Sequence, residues 1–192
     1  MRAAAFLDRD GVVNVDRDYV FRQQDFEFVP GTLDAARELR GFGLALVVVT
    51  NQSGIARGFY GVEEFAALTG WMREQFASHG AALDGVYYCP HHPSEGSPPY
   101  RQVCRCRKPQ PGLLLDAARD LGLDLAHSVL FGDKVSDLQC ALAAGIPHRI
   151  LLGKDGRELP ADVFPGGLAT ARYRSHISTI TVAAVASVSV IG

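Results

Sequence analysis

Three short apolar runs of this chain each end abruptly in a polar signature. AAAFL runs into Asp8-Arg9-Asp10-Gly11, LALVVV into Thr50-Asn51-Gln52-Ser53, and SVLF into Gly132-Asp133-Lys134. Uninterrupted apolar residues, without an apolar/polar alternation, suit strands covered on both faces, as in parallel sheets flanked by helices. Ala3 to Leu7, Leu44 to Val49, Gly85 to Tyr88, Ser128 to Phe131 and Arg149 to Leu152 are therefore read as five buried strands. Between them apolar residues recur at helical spacing: Phe65, Leu68, Met72 and Phe76, then Leu114, Ala117, Ala118 and Leu121. Leu138, Ala141 and Leu142 mark a shorter helix stopped by Gly145 and Pro147, and Pro30-Gly31 opens one around Leu33 to Leu39. The alternation predicts an α/β fold with a doubly wound, mostly parallel sheet and small loop insertions.

At 192 residues the chain is read as a single domain spanning residues 1–192. A formal net charge of −2 gives no electrostatic case for nucleic-acid binding. The start, MRAAAFLDRDG, meets charge too soon for a secretory apolar region, so a reducing cytoplasmic setting is expected. In that setting cysteines bind metal more often than they pair. The apolar segment 175–192 is too short and too broken by hydroxyls for a membrane span. It is read as a last strand or helix over the core, or as a divergent tail.

In open α/β sheets ligands bind just beyond the carboxyl ends of the strands, so the three polar signatures should share one crevice. Asp8 and Asp10, two residues apart in extended backbone, point to one side and Arg9 to the other. Carboxylates crowded together repel unless a cation or shared proton relieves them. With Asp133 they make a hard oxygen site suited to Mg²⁺. Thr50 adds a hydroxyl and nearby amides, and a lysine supplies a point charge for phosphate. That inventory suits phosphoryl transfer, with one carboxylate as nucleophile and another as acid and then base. A lone D-x-D is more often an acidic turn, but here three strand-end signals agree in order and context.

The segment CPHHPSEGSPPYRQVCRCRKP, residues 89–109, holds three of the chain's four cysteines. Cys89-x-His91 and Cys104-x-Cys106 give a Cys₃His set in two pairs, with His92 competing for His91's place. Such a set is a structural zinc composition, and four ligands leave no open position for catalysis. Disulfides are the competing reading, and no C-x-x-C redox motif is present. Arg57, in GIARG, reads as a solvated loop charge.

FLDRDG, VVVTNQSG, CRKP and FGDK, in that order, resemble the haloacid dehalogenase-like phosphatase superfamily, from about Phe6 to about Leu152. Within it, TNQSGIARG, YYCPHHP and CRCRKPQPG are similar to the heptose bisphosphate phosphatase branch. The histidinol-phosphate phosphatases, sharing DRDG, TNQ and a zinc loop, are the nearer rival, and Ser53-Gly-Ile-Ala-Arg-Gly argues against them. The resemblance implies a Rossmann-like fold with a zinc loop at 89–106 and no large cap. It also implies a monomer acting on a small phosphorylated sugar, with neither nucleic acid nor membrane as partner. It assigns Asp8 as nucleophile and Mg²⁺ ligand, and Asp10 as acid and base with its backbone carbonyl on the metal. Asp133 completes the magnesium ligands, and Thr50 and Lys108 hold the transferring phosphoryl group. Substrate contacts fall on Asp16, Arg17, Asp18, Tyr19, Asn51, Gln52, Ser53, Arg107 and Lys134. Zinc falls to Cys89, His91, Cys104 and Cys106.

Overall fold

The strands can be apolar on both faces because helices cover both. The computed structural model describes residues 1–153 and the backbone of residues 171–173. The strands β1 (Ala4–Leu7), β2 (Ala45–Asn51), β3 (Gly85–Cys89), β4 (Val129–Gly132), β5 (His148–Leu152) and β6 (Ala171–Tyr173) form one sheet. Its order is β3-β2-β1-β4-β5-β6, with every neighbouring pair parallel.

Successive side chains go to opposite faces. Ala5, Leu7, Leu46, Val48, Val129 and Phe131 share a core with residues of α1 (Thr32–Gly41) and with Leu68, Met72 and Phe76 of α2 (Val62–Ser78). Ala4, Phe6, Ala45, Val47, Val49 and Leu130 pack instead with α3 (Gly112–Leu121) and α4 (Val135–Ala143). Each expected strand and helix is present, with ends shifted by a few residues. Strand β2 runs two residues past the apolar run, because Thr50 and Asn51 continue the ladder opposite Tyr88 and Cys89. Strand β6 pairs with β5 although its short Ala-Arg-Tyr sequence carries no apolar run. Segment 175–192 lies outside the described residues.

The order reverses between β1 and β4, which are neighbours although the chain visits β2 and β3 between them. This is the switch point at which an open α/β sheet presents its crevice. Asp8 follows β1 and Asp133 follows β4, so the topology alone brings the two carboxylates together. Among the described residues no helix is long and apolar enough to cross a membrane.

At the opposite end of the sheet, Asp84 ties the start of β3 to β2 and α1. Its carboxylate accepts from Leu46 N–H at 2.9 Å, from Arg40 at 3.0 Å and from Arg2 at 3.2 Å. Burial alone would raise this carboxyl, but the Leu46 amide and the two guanidiniums outweigh it and hold it below the usual carboxylate range. A depressed folded-state value means stability that is present above the unfolded carboxyl's range and is lost on acidification. Asp84→Asn should therefore cost about 1–2 kcal/mol at neutral pH. In urea titrations across pH, the gap from the parent should close as pH falls through the depressed value. A gap independent of pH would contradict this.

Candidate active site

Lys108 lies at the centre of the crevice. Its ammonium donates to Asp8 Oδ1 at 2.7 Å and to the Val49 carbonyl at 3.0 Å, and it pairs with Asp137 Oδ1 at 2.7 Å. Lys108 and Asp8 are each 4% exposed and Asp137 1%, so the ion pairs are withdrawn from water. The backbone of Lys108 is clamped to the end of β2: Asn51 Nδ2 donates to the Lys108 carbonyl at 3.1 Å, and Lys108 N–H donates to Asn51 Oδ1 at 3.0 Å. Asp137 is set by α4, where its other oxygen accepts from Lys134 N–H at 3.0 Å and caps the helix.

Two glycines make these close approaches possible. A Cβ on Gly132 would lie 2.4 Å from Asp137 Cβ. Gly11, at φ 97°, turns the Asp8–Asn14 loop over Asp133, where a Cβ would meet a carboxylate oxygen at 2.3 Å.

Carboxylate oxygens of Asp8, Asp133 and Asp137 lie within 4.8 Å of one another. Lys108 occupies the side between Asp8 and Asp137, and Asp137 spends both oxygens on Lys108 and the α4 amide. The place for a cation is therefore the Asp8–Asp133 side. Asp8 and Asp137 face the buried Lys108 ammonium, and the Lys134 ammonium acts on Asp133 and Asp8. Burial pushes the Asp8 carboxyl up to about 7 against the pull of Lys108, with Asp137 and Asp133 adding to the rise. Burial works against the Lys108 charge, but Asp137 and Asp8 hold its ammonium well above the ordinary lysine value. A donor set of this kind fits a hard divalent cation, which would favour the ionised form of Asp8.

The Asp10 side chain is not part of this group. Its Oδ1 accepts from Arg9 at 2.9 Å and Asn14 at 3.1 Å, and its Oδ2 from Gln52 Nε2 at 3.0 Å. Gln52 also donates to Thr50 Oγ1 at 2.8 Å, and the Tyr60 hydroxyl donates to Gln52 Oε1 at 2.5 Å. A carboxylate and a tyrosine hydroxyl on opposite ends of one amide fix which way it faces. The threonine oxygen accepts from Gln52, which leaves its own proton for a ligand.

Above these groups opens a cavity of about 380 Å³. Asp10, Asp16, Asp18, Tyr19, Asn51, Gln52, Ser53, Arg107, Lys108 and Lys134 line it, so nearly every substrate contact expected from the sequence converges here. Arg17 is not among the lining residues: its guanidinium pairs with Glu27, and both side chains are exposed. Asp137 and Tyr60 were not foreseen. The signal for Asp137 was present in Gly132-Asp133-Lys134-Val-Ser-Asp137, where an aspartate in a helix's first turn follows a strand-end aspartate by four residues.

Cys89, His91, Cys104 and Cys106 also converge, with ligand atoms within 4.8 Å. Sulfur separations of 3.1–3.5 Å exclude disulfides, which need about 2.05 Å. His91 Nδ1 faces Cys106 Sγ at 3.4 Å, whereas His92 Nδ1 accepts from the amides of Ser94 and Glu95 at 3.3 and 2.9 Å. That distinguishes the two histidines: His91 belongs to the cluster and His92 to the loop. The fourth cysteine, Cys140, lies on the buried face of α4 and donates to the Gln110 carbonyl at 3.2 Å. Arg107 donates to the His91 carbonyl at 3.0 Å, so the cluster's backbone orients a cation of the cavity.

The parallel sheet with strand-end carboxylates places the chain among the haloacid dehalogenase-like hydrolases, and a family model described as HAD-hydrolase-like matches residues 105–165. The D-glycero-β-D-manno-heptose-1,7-bisphosphate 7-phosphatase of Yersinia pestis is 50% identical over 159 residues, covering 83% of this chain and 84% of the relative. That of Escherichia coli K12 is 52% identical over 149 residues, covering 78% of each. A crystal structure of D,D-heptose 1,7-bisphosphate phosphatase from B. bronchiseptica, complexed with magnesium and phosphate, superposes with a TM-score of 0.80 at 33% identity. The match covers 97% of this chain and 99% of that one. The chain belongs to the family of these heptose-bisphosphate phosphatases.

The buried pairs make a strong demand on the fold. Asp137→Ala leaves Lys108 buried with one carboxylate in place of two and should lower unfolding stability by about 3–5 kcal/mol. Denaturant titration checks this, and a loss below about 1 kcal/mol would mean that the pair contributes as little as a surface contact.

Proposed function

We propose that this protein is a Mg²⁺-dependent phosphatase that removes the C7 phosphate of D-glycero-β-D-manno-heptose 1,7-bisphosphate, leaving the 1-phosphate. The observation that carries the reading is the layout of the cavity. Lys108 and Gln52 line it, with Asp8 bonded to the one and Thr50 to the other, so these four serve one phosphoryl group, while Arg107 and Lys134 offer positive charge to a second. Asp16 and Asp18 lie among the lining residues as acceptors for hydroxyls. A ligand phosphorylated at both ends of a polyol satisfies all three sets. The β anomer follows the names of the relatives.

In this mechanism Asp8, held at Oδ1 by Lys108 and by the Arg9 amide at 2.8 Å, attacks phosphorus in line with the bond to the C7 oxygen. That bond breaks as Asp10 gives a proton to the leaving oxygen. Asp10 then takes a proton from water, which attacks the aspartyl-phosphate and releases inorganic phosphate and free Asp8. Lys108 and the Thr50 hydroxyl hold the phosphoryl oxygens through both steps. Asp8, Asp133 and the Asp10 carbonyl would hold Mg²⁺, which when bound neutralises charge on the phosphoryl group. We read the Cys₃His cluster as a structural zinc site that braces the loop delivering Arg107 and Lys108. The protein is read as a cytoplasmic monomer.

Side-by-side kinetics on the β and α heptose bisphosphates and on histidinol phosphate test the substrate. A preference for the β bisphosphate is expected. A preference for histidinol phosphate, which lacks a second phosphate, would overturn the reading. Asp8→Asn should fold normally and lose at least ~10³-fold in turnover, as expected for removal of a nucleophile. Cys106→Ser should lose zinc, measured by metal analysis, and raise KM; unchanged KM in the zinc-free protein would rule out the brace.

A further inference from the structure

The loop that brings Asp16, Asp18 and Tyr19 to the cavity bends through two consecutive left-handed residues, Asp18 at φ 55° and Tyr19 at φ 52°. Neither is glycine, so the bend costs free energy and persists only where surrounding contacts hold it. Inside the loop, the Asp18 amide donates to Asp16 Oδ1 at 3.3 Å, a long bond. Stronger contacts come from outside it. The Tyr19 ring stands edge-to-face on Phe59, with centroids 4.7 Å apart, and the Arg57 guanidinium carbon lies 5.8 Å from its centroid.

Arg57 is not the solvated loop charge that its sequence context suggested. Its side chain is three-quarters buried and pairs with Glu95. Its Nη2 also lies 3.2 Å from His92 Nε2. Because His92 Nδ1 accepts from two backbone amides, a neutral ring carries its proton on Nε2, and two donors cannot bond each other. The Glu95 carboxylate, bonded to Arg57 and 3.8 Å from His92 Nε2, is what holds the two together. The same loop presses on the Arg57 segment at Gly96, where a Cβ would meet the Ala56 carbonyl at 1.8 Å.

We propose that Arg57 is a positioning residue: anchored by Glu95 on the loop between the two metal-ligand pairs, it holds Tyr19 against Phe59 and so fixes the cavity wall formed by residues 16–19. Arg57 is not among the residues that line the cavity, and it touches none of the groups around Asp8. Its effect therefore falls on sugar binding, and phosphoryl transfer proceeds without it. The inference rests on the reading of the cavity as a phosphosugar site, and the test separates the two.

The test is Arg57→Met, followed by hydrogen exchange across residues 16–22 and by kinetics on two substrates. One is the heptose bisphosphate; the other is p-nitrophenyl phosphate, which occupies only the phosphoryl end. Loss of a cation–π contact with its anchoring ion pair should raise exchange and the KM for the bisphosphate by ~10-fold, with kcat within ~2-fold. The aryl phosphate kcat/KM should stay within ~2-fold, and zinc content should be unchanged. Glu95→Gln, at an exposed position, should raise the same exchange rates by ~3-fold through loss of one charged contact. Unchanged exchange in both variants, or kcat falling together on both substrates, would overturn the proposal. If the unsubstituted protein shows no preference for the bisphosphate, the functional reading fails, while the exchange result still decides the role of Arg57.

Discussion

The ammonium of Lys108, buried between Asp8 and Asp137, is the interaction on which the rest of the site depends. Charges removed from water this completely are tolerated only when paired with good geometry, and here both pairs are 2.7 Å long. The arrangement draws on four separate pieces of the chain. Strand β1 delivers Asp8, the end of β2 clamps the Lys108 backbone through Asn51, α4 fixes Asp137, and the cysteine-rich loop supplies the lysine. The oxygens of Asp8, Asp133 and Asp137 lie close enough together to hold a hard divalent ion, with Lys108 on the side between Asp8 and Asp137.

The cysteine cluster serves this interaction at one remove. Cys106 directly precedes Arg107 and Lys108, and the Arg107 side chain returns to the carbonyl of His91. Closing four ligands around one ion would add to the hydrogen bonds that already order this proline-broken loop. Through Glu95 the loop pairs with Arg57, which lies over the Tyr19 ring. On the proposed reading, one metal bound there would set Lys108, Arg107 and the wall that carries Tyr19.

Much of this was legible in the sequence, for identifiable reasons. Buried parallel strands announce themselves as continuous apolar runs, and the groups that follow them fall at the crevice by topology, so Asp8, Asp10, Thr50 and Asp133 could be placed without coordinates. What the sequence could not give was side-chain direction. Arg17 and Tyr19 lie two residues apart and look equally eligible, yet one pairs with Glu27 and the other lines the cavity. Asp137 directly precedes the helical stripe of Leu138, Ala141 and Leu142 and was not singled out, and Arg57 was discounted as a loop charge because its partners lie 35 and 38 residues away. His91 and His92 were separable by resemblance alone until the loop's own hydrogen bonds claimed His92.

The central claim is that Lys108 and its partners hold Asp8 as the nucleophile. Rapid quenching during turnover of the heptose bisphosphate, followed by borohydride reduction and peptide mass analysis, tests it most directly, since an acyl phosphate at position 8 is reduced to homoserine. The account predicts homoserine at position 8 in the presence of substrate and Mg²⁺, and none without substrate. Turnover with Asp8 unmodified, or with the modification at Asp10, would contradict it.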